Sequence, residues 1–196
     1  MYRPAVRTTA GRIGEEKMNI TRGASVLLFA YTLGACASPQ MFPSQVMEDV
    51  DQHFDFTAWR MAPNAGVGKK IELGGRITQV EPKEGGLVIV AAQLPIVDHP
   101  TYGPKDAGKR TGEFALFYQG TIKPTSLSVG NRLIVVGTIE SAKVVVVDDM
   151  KRSLPSLKAQ CVHVWVTRGK EIDEFPFNTG GGYEPLEENT YCVPHQ

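Results

Sequence analysis

The stretch KIELGGRI, residues 70–77, decides the fold class because apolar and polar side chains alternate along it. Ile71 and Leu73 alternate with charged neighbours, and this period of two is typical of a strand that is buried on one face. The pair Gly74-Gly75 in its middle predicts a bulge or a sharp bend. We therefore expect the first strand of a sheet here.

Similar short segments follow along the chain, with glycines between them. They are predicted as strands at 87–94, 113–118, 132–139, 143–147 and 160–167. No helix pattern of normal length interrupts them, which favours an all-β protein with a small closed sheet over a parallel α/β fold. The bent first strand and the short connector 123–130 match an OB-like Greek-key barrel of five to six strands. A small open sandwich is the alternative.

Composition limits the classes of function. The chain has 196 residues, 21 Lys+Arg and 21 Asp+Glu, so its formal net charge is zero. A protein that binds nucleic acid through phosphates normally carries a basic excess, so we expect no nucleic-acid partner. No apolar run reaches the roughly 18 residues of a membrane-spanning helix.

The front of the chain has the pattern of a secretory signal. From Met18 it reads MNITRGASVLLFAYTLGAC, in which Arg22 precedes an apolar stretch and small residues precede Cys36. Leu33-Gly34-Ala35-Cys36 resembles the lipobox of bacterial lipoproteins. That resemblance implies cleavage between Ala35 and Cys36, acyl chains such as palmitate on Cys36, and stable anchoring in a bilayer. Ala37, which is not Asp, favours the outer membrane by the same resemblance.

The predicted organisation has five parts. They are a spurious N-terminal extension over 1–17, a lipoprotein signal peptide over 18–35, a lipidated tether with a short helix over 36–66, the barrel over 67–168 and an extended, acidic, glycine-rich tail over 169–196. The short helix is expected near residues 46–54, where Val46, Val50 and Phe54 share one helical face. Residues 95–112 are predicted as a long loop.

The order of several motifs resembles the Slp family of starvation-inducible outer-membrane lipoproteins. They are the lipobox, the "G-x-x-V-x-x-G-G-x-I" pattern at 68–77, Leu94-Pro95, Gly112-x-Phe114, Val129-Gly130-Asn131-Arg132, Val135-Val136-Gly137-Thr138-Ile139 and Val164-Trp165. The resemblance implies an envelope lipoprotein on the periplasmic side of the outer membrane. It implies no reaction and no cofactor.

Motifs that would indicate catalysis are absent from the sequence: there is no H-E-x-x-H, G-x-S-x-G or G-x-x-x-x-G-K-[ST]. Asp98-His99 is interpreted as part of an exposed loop. The sharpest cluster is Cys161-Val162-His163 with Cys192 and His195. A disulfide between Cys161 and Cys192 is the simplest interpretation in an oxidising compartment, with unpaired thiols and a zinc site as alternatives.

Three functions are compatible with these observations. The first is a non-catalytic lipoprotein with a structural or stress-related role in the envelope. The second is a periplasmic OB-type module that binds an oligosaccharide, a peptide or a partner protein. Its candidate aromatic residues are Tyr102, Phe117 and Tyr118, and for Phe117 core packing is the favoured role. The third is an enzyme, for which the sequence supplies no catalytic set.

Overall fold

The computed structural model describes residues 41–98, 102–106, 111–147, 149–169, 178–179, 182–183 and 186–194. Two short helices come first, α1 (Ser44–Met47) and α2 (Phe56–Met61), and a 3-10 turn spans Pro124–Leu127. The strands are β1 (Lys70–Lys83), β2 (Gly86–Leu94), β3 (Ile96–Val97), β4 (Gly103–Pro104), β5 (Glu113–Tyr118), β6 (Arg132–Val147), β7 (Met150–Trp165), β8 (Asn178–Thr179), β9 (Gly182–Tyr183) and β10 (Glu188–Cys192).

Five strands pair in a ring. β1 pairs with β2, β2 with β5, β5 with β7, β7 with β6, and β6 returns to β1. All these pairings are antiparallel except that of β5 with β7, which is parallel. β10 adds antiparallel to β7 as a sixth strand. The predicted all-β class is confirmed, whereas the OB-like assignment remains a prediction.

The core lies inside the ring and follows from the alternation seen in the sequence. Strand side chains point alternately to the two faces, so every second residue is enclosed. The enclosed side chains are Ile71, Leu73, Ile77, Ile89, Ala91, Phe114, Leu116, Leu133, Val135, Leu157, Val162 and Val164. Phe56 and Trp59 of α2 pack against the same core, so this helix belongs to the barrel.

The bend predicted at Gly74-Gly75 was wrong. The pairing of β1 with β2 is regular there, and the shift in register lies between Ile77 and Gln79. The two glycines instead allow close packing on both faces. A Cβ on Gly74 would lie 2.8 Å from the Leu94 carbonyl oxygen, and one on Gly75 would lie 3.0 Å from the Ala91 Cβ.

Two predicted strand boundaries were also wrong. The segments 132–139 and 143–147 form one strand, β6, and the last ring strand begins at Met150. Together they extend as a hairpin whose residues Val145 and Leu154 pack with Val90. Pro155 lies opposite the register irregularity between Glu140 and Lys143, where a missing N–H is tolerated.

The flanking segments differ from the expectation in detail. The helix predicted near 46–54 is replaced by α1 and α2, and Asp55 caps α2 by accepting a hydrogen bond from the Ala58 N–H at 3.0 Å. The loop 95–112 contains the paired strands β3 and β4. The tail predicted to be extended contributes β10, which lies in the sheet as an edge strand.

We predict that Gly74→Ala destabilises the protein by about 1–3 kcal/mol, because the new methyl group would overlap the Leu94 carbonyl and the Ile96 side chain. Urea unfolding measures this change. Val144→Ala in β6 is the control: Val144 is 68% exposed, so its truncation should change stability by no more than about 0.5 kcal/mol. Equal stability of Gly74→Ala and the wild type would contradict the packing described here.

Candidate functional site

The two cysteines predicted to pair are brought together by strand register. Cys161 of β7 lies directly opposite Cys192 of β10, and the Val193 N–H donates to the Gln160 carbonyl at 2.9 Å. This pattern places the cysteines at a non-hydrogen-bonded position, where facing side chains are closest. In the structure they form a disulfide with a Cα–Cα distance of 4.1 Å.

A bulge in β7 lies directly before Cys161. Val136 pairs with Cys161 and Gly137 with Ala159, so Gln160 is the extra residue. On its other edge β7 pairs with β5 up to Ala159 and with β10 from Cys161 onward. The disulfide therefore lies where the parallel and the antiparallel neighbour of β7 meet.

Cys161, His163 and Trp165 share the outer face of β7, as the alternation predicts. The ring centroids of His163 and Trp165 are 4.3 Å apart. The Phe42 ring packs edge-on against His163 at 6.4 Å, and Val46 joins the same apolar cluster. The N-terminal segment therefore covers this face, while β10 lies beside it.

His163 is buried and engaged by β10. Its Nδ1 lies 2.7 Å from the Thr190 hydroxyl, and its Nε2 lies 3.5 Å from a Glu188 carboxylate oxygen. Burial lowers the pKa of His163, and the Glu188 carboxylate opposes this shift. The zinc alternative would need both thiolates, which are joined in the disulfide, and His195, which lies outside the described residues. The described part of the chain contains no cluster of three or more His, Cys, Asp or Glu side chains suited to a metal.

Charged residues inside the strands hold the loop that follows β2. The Asp106 carboxylate forms ion pairs with Arg76 and with Arg132, which face each other on β1 and β6. Arg132 is fully buried. One carboxylate between two opposed guanidinium groups offsets their repulsion, so the loop is tied to the ring electrostatically.

A second tie joins the same loop to β1. The Tyr102 hydroxyl donates to Glu72 Oε2 at 2.5 Å, and Glu72 is 3% exposed. Burial raises the pKa of the Glu72 carboxyl, and the nearby Asp98 acts in the same direction, while hydrogen bonds from Tyr102 and Gln52 oppose it. The pKa of Tyr102 is raised by burial and by Glu72.

The candidate aromatic residues occupy different environments. Tyr118 is buried in the core, and Tyr102 is tied to Glu72. Phe117 points outward and is half-buried, and the Lys143 ammonium lies 5.3 Å from its ring centroid. It borders a groove of about 400 Å³ beside the β6–β7 hairpin, so the favoured core role of Phe117 was wrong.

Sequence reasoning missed the ties made by Glu72, Arg76 and Arg132. The only signal in the sequence was that each is a charged residue in a predicted strand. The alternation of apolar and polar residues places it on the outward face of that strand. Asp98 is exposed on the loop, and His99 lies outside the described residues. So do Leu33, Gly34, Ala35 and Cys36, which means that the lipobox and the predicted cleavage site stay predictions.

No helix among the described residues is long and apolar enough to cross a bilayer. A family model described as "Outer membrane lipoprotein Slp family" matches residues 33–190, and the chain belongs to this family. The outer membrane is therefore its location.

A curated relative supports the same assignment. The chain is 22% identical over 152 residues to "Outer membrane protein Slp" of Escherichia coli (strain K12), an alignment that covers 77% of this chain and 78% of that protein. No solved structure matches the chain. The matched region of the family model begins at the first residue of the lipobox and ends within β10.

We predict that Glu72→Gln removes a pH-dependent loss of stability. The pKa of Glu72 in the folded protein lies above its ordinary value of 4.5, so its stabilising contribution is complete below that pH and is lost as pH rises through the folded pKa. The amide still accepts the Tyr102 hydrogen bond but does not ionise. Urea unfolding of both proteins from pH 4 to pH 8 should show the wild type losing stability relative to Glu72→Gln, and parallel curves would contradict this.

Proposed function

We propose that this protein is held on the outer membrane by acyl chains on Cys36, after cleavage behind Ala35, and faces the periplasm. There it has a non-catalytic, structural role in the envelope under starvation or stress. The observation that carries this proposal is the short connection between Cys36 and the body. Phe42 is already 3% exposed and packed on the sheet, and it is the sixth residue after Cys36.

The short connection supports a body that stays close to the bilayer. An extended chain covers at most about 3.3–3.6 Å per residue, so six residue steps span about 20 Å. Phe42 and Val46 fix the end of this connection to the outer face of β6 and β7. A force on the lipid anchor would thus be transmitted directly to the sheet.

The use of the buried polar groups supports a structural role. The pairs of Asp106 with Arg76 and Arg132 tie a loop to the ring, and Tyr102 with Glu72 does the same. His163 contacts β10 through Thr190. These particular buried groups, which could act as acids or bases, are thus engaged in holding elements together. The starvation or stress role rests on the family resemblance.

We predict that Cys36→Ser abolishes labelling with radioactive palmitate and leaves an uncleaved precursor, because the thiol is the acyl acceptor. The wild type should fractionate with the outer membrane and stay there in high salt, since burial of acyl chains does not depend on ionic strength.

Ala37→Ser is the control for this experiment, because it changes the next residue and keeps the thiol. It should be labelled and processed as the wild type. Release of the wild type by high salt alone, or labelling of Cys36→Ser at the wild-type level, would contradict the anchor.

A second candidate function is the binding of an apolar segment of another envelope protein. The groove beside the β6–β7 hairpin is lined by Val88, Phe117 and residues 143–146 of β6, and Glu81 and Lys83 complete its lining. Val144, Val146 and Met150 on this hairpin are 68%, 47% and 54% exposed. A concentration of exposed apolar side chains is typical of an interaction surface.

We predict that a photo-crosslinking amino acid at Val144 captures a distinct envelope protein in intact cells. The same amino acid at Val129, which is 63% exposed outside the hairpin, is the matched control. Mass spectrometry should identify a product at Val144 that is missing at Val129. Identical products at both positions, or none at Val144, would reject the binding function and leave the anchoring proposal unaffected.

A further inference from the structure

We propose that the sulfur of Cys192 is the site at which a dithiol protein exchanges with the Cys161–Cys192 disulfide, and that this exchange releases β10 from the ring. The disulfide is thereby a reducible covalent link that holds an edge strand on the sheet. The proposal rests on the different burial of the two cysteines and on the position of β10 outside the closed ring.

The two cysteines are not equally accessible. Cys161 is fully buried between β6 and the N-terminal segment, in a cluster with Phe42 and Val136. Cys192 is half-buried on the edge strand. A thiolate must approach the sulfur that it attacks, and the half-buried Cys192 on the edge strand is more accessible to it than the fully buried Cys161.

A groove at the end of β10 gives room for an incoming chain. It has a volume of about 300 Å³, and the residues after Cys192, Val193 and Pro194, form one wall. Ala159 and Val46 give it an apolar part, and Lys158 lies at its border.

The exchange proceeds in two balanced steps. A thiolate of the partner attacks Cys192 Sγ, which forms a mixed disulfide and releases Cys161 as a thiolate that takes up a proton. The second thiol of the partner then loses its proton and attacks the mixed disulfide, so that Cys192 leaves as a thiol. The partner is oxidised to its own disulfide, and both cysteines of this protein are reduced.

Without the disulfide, β10 is held only by non-covalent contacts on one edge of the sheet. It pairs with one strand only, β7, and the ring of β1, β2, β5, β7 and β6 is closed without it. Its side chains add a hydrogen bond between Thr190 and His163 at 2.7 Å, one between Tyr191 and Ser126 at 2.9 Å, and one from Thr190 to the Met41 carbonyl at 3.4 Å. Glu188 also contacts His163, and Tyr191 packs against the core. Reduction should therefore detach β10 and leave the ring intact.

The first experiment identifies the attacked sulfur. The folded wild-type protein, produced without a lipid, is incubated with reduced glutathione, quenched in acid, denatured and treated with N-ethylmaleimide. Peptide mapping by mass spectrometry should find glutathione on Cys192 and the maleimide on Cys161, with a preference of about tenfold or more. Glutathione mainly on Cys161, equal amounts on both, or no exchange would overturn the proposal.

The second experiment measures release of β10 by amide hydrogen exchange with and without dithiothreitol. Reduction should remove protection from Tyr191 and Val193, whose amides face β7, while residues 133–136, which pair with β1, stay protected. The double variant Cys161→Ser/Cys192→Ser is the matched control and should show the same loss without reductant. Unchanged protection of β10, or its loss throughout the ring, would overturn the release.

Discussion

The structure depends on the way in which β7 shares its two edges among three strands. One edge pairs with β6 along nearly its whole length, and the other pairs first with β5 and then with β10. The parallel pairing with β5 closes the ring, and Gln160, as the extra residue, separates it from the antiparallel pairing with β10.

Electrostatic ties complement this closure on the side of β1. Arg76 and Arg132 face each other across β1 and β6, and Asp106 of the following loop neutralises part of their charge. Removing one partner of a buried pair leaves an uncompensated charge, which costs about 3–5 kcal/mol. The loop between β2 and β5 is thus part of the barrel, and the close approach at Gly74 lets it lie there.

Local pattern and tertiary context explain what the sequence could predict. Ile71 and Leu73 alternate with charged residues and indicate a strand directly, and most of the other ring strands carry a similar signal. The start of β7 carries no such signal. Its polar residues and Pro155 are typical of a loop, and only the pairing with β6 in the hairpin identifies them as a strand. The pair Gly74-Gly75 is equally compatible with a bend in the backbone and with close packing against the backbone. The tie between Glu72 and Tyr102 depends on how a loop folds back, which no local pattern encodes.

The two ends of the described body are fastened to the same face and edge of β7, and this links its anchor to its tail. Phe42 packs on His163, while Thr190 of β10 binds His163 and also donates to the Met41 carbonyl at 3.4 Å. β10 therefore supports the point at which the chain from Cys36 reaches the sheet. Loss of β10 would remove the hydrogen bond to Met41 and expose one side of His163, although the packing of Val46 on the sheet would remain. Reduction of the disulfide would thus first affect the contacts at the point where the body joins its tether.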